Sequence, residues 1–166
     1  DQSRAVLAAG RDVGLGLRVH GNQLGHGDGV QVAGEMGAAS VDHCTYLSDA
    51  DVDALAASDT VATFLPATDF STRQPYPDAR RAIEAGVDVA IATNTNPGSS
   101  FTTSMPFCIA LAVRDMGMTI EEALAAATTG SARSLRRDDV GRLTPGSRGD
   151  AVLLDAATGE VVVEKA

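Results

Sequence analysis

Only three histidines occur in the chain, and two of them, His20 and His43, close short β-rich runs. Neutral imidazole is the commonest transition-metal ligand and titrates near physiological pH, so such positions suit metal binding or proton transfer. In parallel strand–helix folds, functional side chains collect at the C-terminal ends of strands. Reading the other strand ends gives Asn22 and Gln23 just after His20, and Pro66, Thr68 and Asp69 after a third run. A fourth run leads into Asn94-Thr95-Asn96-Pro97-Gly98-Ser99-Ser100. Two readings stand for the histidine pair: satisfied structural residues, or imidazoles that share a metal centre. The 94–100 segment reads either as a cap for the next helix, with Ser99 or Ser100 satisfying free backbone donors, or as a substrate loop holding a carboxylate or carbonyl oxygen. His26, within Gly25-His26-Gly27, reads as solvated. No phosphate-binding glycine motif, paired-cysteine zinc motif or nucleophile elbow occurs in the sequence.

The elements that must position these residues alternate between helical and β-type patterning. Residues 2–13 carry a helical pattern that stops at Gly14, and residues 15–20 read as a strand with Leu15, Leu17 and Val19 on one face. A short helix over 29–37 closes at Gly37, followed by a β-run over 40–44. Ser48 is a good N-cap, with Asp49 and Asp51 in the positive first turn of the next helix. Residues 60–65 are strand-like, Asp78 opens a helix ending at Gly86, and residues 88–93 form a fourth strand. Phe101, Met105, Cys108 and Ala112 recur at helical spacing, which predicts a buried helix over 101–116. Thr119-Ile120-Glu121-Glu122 resembles a capping box. Successive strand starts are separated by one strand–helix unit, the interval a parallel crossover requires. The apolar character of the strands on both faces suits burial between helices, and a half-barrel of such units would expose strand edges and an apolar interior. Four units make either half of an eight-unit barrel or a small open sheet. Beyond residue 140 the turn Pro145-Gly146 and a hydrophobic run ending at Asp155 read as a chain that leaves to pair in a separate sheet.

Composition narrows the function classes. The chain has 166 residues, 44% of them hydrophobic, and a net charge of −9. That supports one domain with a real core, but falls short of the roughly 250 residues of a complete eight-unit barrel. The acidic balance argues against nucleic-acid or anionic-membrane partners, and no apolar run reaches the roughly 18 residues of a bilayer span. The opening Asp1-Gln2-Ser3-Arg4 carries neither a signal peptide nor a starting Met, so the chain is expected to be entered part-way. Cys44 and Cys108 each sit in an apolar run and are expected to be reduced core thiols, in keeping with a cytoplasmic home.

Three blocks resemble the imidazolonepropionase family of the metal-dependent amidohydrolase superfamily: Val19-His20-Gly21-Asn22-Gln23, Ala39-Ser40-Val41-Asp42-His43 and Ala92-Thr93-Asn94-Thr95-Asn96-Pro97-Gly98-Ser99-Ser100. The likeness continues through Thr102-Thr103-Ser104, Glu121-Glu122-Ala123-Leu124 and Gly141-Arg142-Leu143, and Asp150 and Asp155 fit the wider superfamily's tail. The resemblance implies an α/β fold, the C-terminal half of a (β/α)8 TIM-like barrel with a short β segment from an accessory sandwich. Residues 1–138 would carry strands five to eight, and residues 139–166 would return to the sandwich. It implies hydrolysis of 4-imidazolone-5-propanoate to N-formimidoyl-L-glutamate in histidine degradation, with one zinc or iron ion and a homodimer when complete. His20 then matches the metal ligand of the fifth strand and His43 a histidine that approaches the substrate. Asn96, Gly98 and Ser99 match the loop that contacts substrate.

Two positions depart from the family pattern. Asn94 stands where the family has a metal-binding Asp, which makes Asn94 the expected ligand and base position. Gln23 stands where an acidic residue, typically Glu, orients substrate. A carboxylate can accept a proton from water and deliver it to a leaving nitrogen, whereas an amide has no basic lone pair near neutral pH. The family's His-x-His metal pair does not occur in the sequence, so the chain is expected to be the C-terminal portion of a longer protein. Two further classes stay open: a non-catalytic relative that binds a small amide or carboxylate, and another amidohydrolase such as a deaminase or cyclic ureide hydrolase.

Overall fold

Alternation along four short strands decides which face of the sheet packs. The computed structural model describes residues 2–154 and 161–165. β1 (Arg18–Gly21), β2 (Ser40–His43), β3 (Val61–Phe64) and β4 (Val89–Ile91) lie side by side in chain order, every neighbouring pair parallel. A parallel neighbour requires a crossover, and helices supply each one. α1 (Gln2–Asp12) precedes β1; α2 (Gly29–Met36) returns the chain to β2, α3 (Asp49–Ala56) to β3, and α4 (Pro66–Thr72) with α5 (Ala79–Glu84) to β4. After β4 come α6 (Met105–Asp115), α7 (Ile120–Ala125), a π-helical turn (Ala126–Gly130) and α8 (Ser131–Ser134).

Val41, Ala62, Phe64 and Ile91 point to one side and form a single core with Val30 and Ala33 of α2, Val52 and Leu55 of α3, Ala82 of α5 and Cys108 and Ala112 of α6. The other side carries the alternate residues. Their register places Arg18 beside Ser40, and His20, Asp42 and Thr63 in one row. Arg18 Nη1 donates to Ser40 Oγ (2.9 Å), which donates to Asp42 Oδ1 (3.0 Å). The expectation of strands apolar on both faces, and hence of an apolar interior, is therefore corrected. Only the helix-covered face is uniformly apolar; the opposite face carries a polar row.

Helix ends follow the capping chemistry. Ser48 and Asp51 form a reciprocal capping box at α3, Thr119 and Glu122 another at α7, and Asp78 caps α5. Gly37 ends α2 in the left-handed conformation, φ 67°. Two boundaries differ from the sequence reading. Gly14 is left-handed and Leu15 N donates to Gly10 O (3.0 Å), so residue 15 belongs to the close of α1; Leu15 is 64% exposed and the strand begins at Arg18. Phe101 is 78% exposed and lies outside α6, which begins only where Ser104 caps it and Pro106 occupies the first turn. One glycine is sterically required: a Cβ on Gly130 would lie 2.2 Å from the Val89 carbonyl oxygen, because the π-helical turn presses on β4.

β5 (Ala151–Leu154) and β6 (Val161–Lys165) pair antiparallel in a sheet of their own, as the tail's turn chemistry suggested. Asp155 lies outside the described residues. Cys44 and Cys108 are buried free thiols, and burial raises the pKa of both. Among the described residues no helix is long and apolar enough to cross a membrane.

Candidate active site

The C-terminal ends of the strands concentrate both polar side chains and backbone strain. Asn22 (φ 55°), His43 (φ 85°), Cys44 (φ 53°) and Asn94 (φ 50°) all adopt the left-handed region without being glycine, just after β1, at the end of β2 and after β4. Such residues persist only where their surroundings over-determine them, and they cluster at functional sites. Here the surroundings are identifiable. Cys44 N donates to Gly21 O and Tyr46 N to Asn22 O, each at 3.1 Å, which continues the pairing of the first two units past the strand ends. A Cβ on Gly21 would come within 2.9 Å of Val41 Cγ2, and a Cβ on Gly29 within 3.1 Å of Gly21 Cα, so β1 ends directly on the start of α2.

His20 and His43 meet at this rim, with ring centroids 4.2 Å apart and planes tilted by 38°. His20 is exposed, whereas His43 is 4% exposed. Burial, reinforced by the proximity of His20, pushes the His43 pKa down to about 4, so its imidazole is neutral near physiological pH. Among the described residues its Nδ1 is buried without a hydrogen-bond partner, an orphan that asks for a partner from outside the fold, a ligand or a water. Asn94 reaches the same place from β4, and its Nδ2 donates to Thr68 Oγ1 (2.9 Å). His20, His43 and Asn94, with Arg18, Asp42 and Thr63 of the polar row, line one open cavity of about 270 Å³.

Gln23, Asn96, Gly98 and Ser99 are not among the residues lining that cavity. Gln23 lines an adjoining depression that shares His20, together with Asn22 and His26. His26 is exposed, edge-on to Tyr46 at 5.7 Å, as its glycine-flanked position implied. The loop after β4 is knotted on itself. Asn96 Oδ1 accepts from Gly98 N and Ser99 N (both 2.8 Å), and Asn96 Nδ2 donates to Asn94 O (2.6 Å) and Ser99 Oγ (3.0 Å). Ser100 Oγ donates to Thr93 O (2.8 Å), so neither Ser99 nor Ser100 caps the next helix; that reading is corrected in favour of Ser104. The sequence reading gave Asp51 only a place in a helix's first turn and did not single out Thr45. Asp51, 1% exposed, accepts from Ser48 N, Ser48 Oγ, Asn22 Nδ2 and Gln31 Nε2. Its place three residues after Ser48 signals a cap, and nothing in the sequence signals the reach to Asn22.

The donor chemistry fits a metal ion only in part. Catalytic zinc usually takes three protein ligands. Among the described residues no group of three or more His, Cys, Asp or Glu is placed to hold an ion. His20 brings one exposed imidazole and Asn94 a neutral amide oxygen.

Comparison with known proteins gives this arrangement a family. Residues 3–165 match the model of the amidohydrolase family. The chain is 65% identical over 156 residues to imidazolonepropionase of Streptomyces griseus, covering 94% of this chain and 40% of that protein. The imidazolonepropionases of Salinispora arenicola and Mycolicibacterium smegmatis are also 65% identical, over 158 and 156 residues and 94% of this chain, covering 40% and 39% of theirs. The chain thus spans about 40% of the length of the curated relatives it matches. Among solved structures it is similar to an adenosine deaminase from Xanthomonas campestris with bound zinc (TM-score 0.77, 19% identity, 93% of this chain and 40% of that one). It is similar too to a single-residue mutant of atrazine chlorohydrolase from Arthrobacter aurescens in complex with zinc and atraton (TM-score 0.74, 20% identity, 90% of this chain and 38% of that one). At these identities the structural likeness speaks for the fold: an α/β arc of parallel strand–helix units, half the number in a TIM-like barrel. With the family model matched over nearly its whole length, the chain belongs to the amidohydrolase family.

Proposed function

We propose that the chain forms units five to eight of a metal-dependent amidohydrolase barrel that opens the ring of 4-imidazolone-5-propanoate to give N-formimidoyl-L-glutamate. In this reading residues 1–138 belong to the barrel and residues 139–166 return to a small sandwich. The observation that carries it is the meeting of His20, His43 and Asn94 at one rim and in one cavity, in a chain 65% identical to imidazolonepropionases.

His20 and the Asn94 amide oxygen would hold one zinc or iron ion, with further ligands from units outside this chain. When bound, such an ion lowers the pKa of coordinated water toward about 7. The chain's own residues do the rest. His43, kept neutral by burial, presents an imidazole N–H to the substrate carbonyl and polarises it. Gln23 orients the ring by hydrogen bonding, and the loop knotted by Asn96 places Gly98 and Ser99 at the substrate's border. Hydrolysis adds water across the ring amide, breaks the C–N bond and requires a proton at the leaving nitrogen. Asn94 cannot carry that proton, so this chain's turnover is slow and a carboxylate at position 94 accelerates it. A cytoplasmic home and a homodimer of complete barrels accompany this reading, and sedimentation of the assembled protein measures the latter.

The test uses a joined full-length protein, in which this chain replaces the matching part of the Streptomyces griseus relative. With Zn²⁺ or Fe²⁺ it should open the imidazolone ring slowly, and Asn94→Asp should speed it. If neither protein turns over while both fold and hold metal, the catalytic assignment fails. A second reading, a relative that binds a small amide or carboxylate without turnover, is favoured by Asn94 and Gln23 each being a neutral isostere of an acid. Calorimetric affinity for the substrate, with no turnover even in Asn94→Asp, would decide for it.

A further inference from the structure

The segments that follow the four strands, which are loops after β1, β2 and β4 and helix α4 after β3, are tied to one another by polar side chains. Between the first and second segments, Asn22 Nδ2 donates to Tyr46 O (2.9 Å) and to Asp51 Oδ2 (3.3 Å), while Tyr46 N donates back to Asn22 O (3.1 Å). Between the second and third, Thr45 Oγ1 donates to Asp69 Oδ1 (2.9 Å) and the Tyr46 hydroxyl to Gln74 Oε1 (2.8 Å). Between the third and fourth, Asn94 Nδ2 donates to Thr68 Oγ1 (2.9 Å). Thr45 and Tyr46 are sequence neighbours, as are Thr68 and Asp69, so the three links join end to end through two peptide bonds. Asn22, Thr45, Thr68 and Asp69 are 9%, 6%, 0% and 0% exposed, so the central Thr45–Asp69 link is shielded from competing water, while Tyr46, Gln74 and Asn94 are half-buried.

We infer that these links form one continuous strap along the catalytic rim, in which Thr45 and Asp69 are positioning residues that hold the His43 loop in register with Asn94. The inference rests on the function proposed above for His43 and Asn94. Thr45 follows the strained pair His43 and Cys44, whose left-handed backbone needs an anchor on its far side. The Thr45–Asp69 bond is that anchor. It is the only side-chain hydrogen bond to the Asp69 carboxyl among the described residues, since Oδ2 has no partner. If the bond is lost, the link that remains between these two segments is the one from the half-buried Tyr46 hydroxyl to Gln74, one residue further from His43. The His43 ring then moves relative to His20 and to the cavity, although neither Thr45 nor Asp69 lines it.

The test is made in the joined full-length protein bearing Asn94→Asp, where the Thr68 hydroxyl can turn to donate. Thr45→Val keeps the shape and removes the donor; Thr45→Ser keeps the donor. Thr45→Val should lower kcat about 10- to 100-fold, the scale of a misplacement near 1 Å, with KM close to the parent's and with Thr45→Ser restoring most of the loss. Amide exchange at Cys44 and Tyr46, whose N–H groups bridge to the end of β1 and to the loop after it, should quicken in Thr45→Val and not in Thr45→Ser. Should Thr45→Val fail to fold, Asp69→Leu removes the acceptor from the other side and is expected to give the same kcat and exchange pattern. Unchanged kcat, or equal losses in Thr45→Val and Thr45→Ser, would overturn the strap. Unchanged exchange would overturn it independently of turnover. An inactive parent with quickened exchange would instead sink the proposed reaction and leave the strap standing.

Discussion

Asn94→Asp exchanges an NH₂ for an oxygen and alters almost nothing else. Position 94 sits at φ 50°, a region in which both asparagine and aspartate are enriched. In the parent the amide donates to Thr68 Oγ1 at 2.9 Å. In the variant the same hydroxyl can rotate and donate to the carboxylate, so one hydrogen bond replaces another and gains charge assistance. The change in folding stability should therefore stay within about 1 kcal/mol. Rate is different. A carboxylate at this place can accept a proton from water and hand it to the leaving nitrogen, a contribution of about 10²- to 10⁴-fold, equivalent to about 3–5 kcal/mol of barrier at 1.36 kcal/mol per tenfold. The assay follows loss of the imidazolone ring's ultraviolet absorbance in the joined full-length protein at saturating substrate, with metal content and melting temperature measured alongside. Asn94→Ala controls for the loss of the Thr68 bond and should be no faster than the parent. A variant with matched metal and fold that turns over no faster than the parent refutes the role given to position 94.

Other expectations follow from particular contacts. Gly130→Ala drives a methyl to 2.2 Å from the Val89 carbonyl and should cost about 1–3 kcal/mol, read as a lowered melting temperature; an unchanged one would show that the π-helical turn shifts freely. Asp51→Ala leaves the donors of Ser48, Asn22 and Gln31 without their acceptor and should lose more in urea unfolding than the roughly 1 kcal/mol of a simple cap removal. A loss no larger than that of Ser48→Ala would show that the reach to Asn22 contributes nothing. Asp69 carries a carboxyl that burial pushes up from 3.8 to about 6, against the hydrogen bond from Thr45. Between about pH 4 and 6 the folded state therefore binds more protons at this group than the unfolded state, and its contribution to stability falls as pH rises through that window. Asp69→Asn should flatten that part of the stability profile, and an unaltered slope would contradict the assignment.

Much of the fold is legible in local chemistry. Ser48, Asp78 and Thr119 announce their helices, Gly37 closes one, and strand spacing dictates parallel crossovers. The misses have physical causes. Leu15 looks like the first residue of a strand, yet the turn closing α1 holds it away from the sheet. Phe101 fits the helical period, but the loop knotted by Asn96 delays the helix to the Ser104 cap. The polar row of Arg18, Ser40 and Asp42 is hidden in strands that read as hydrophobic, because short strands leave little alternation to count. At the site, His20, His43 and Asn94 are visible because strand ends collect functional groups. Their supports are not: Thr45 to Asp69 and Asn22 to Asp51 join residues far apart in the chain, and only the side-by-side order of the units brings them together.

Metal content in the joined full-length protein and in its His20→Ala variant probes the site most directly. If the imidazole at the end of β1 is a ligand, the parent holds one ion per chain and His20→Ala loses it while keeping its melting temperature. A His20→Ala protein that retains the full complement of metal would place the ion elsewhere.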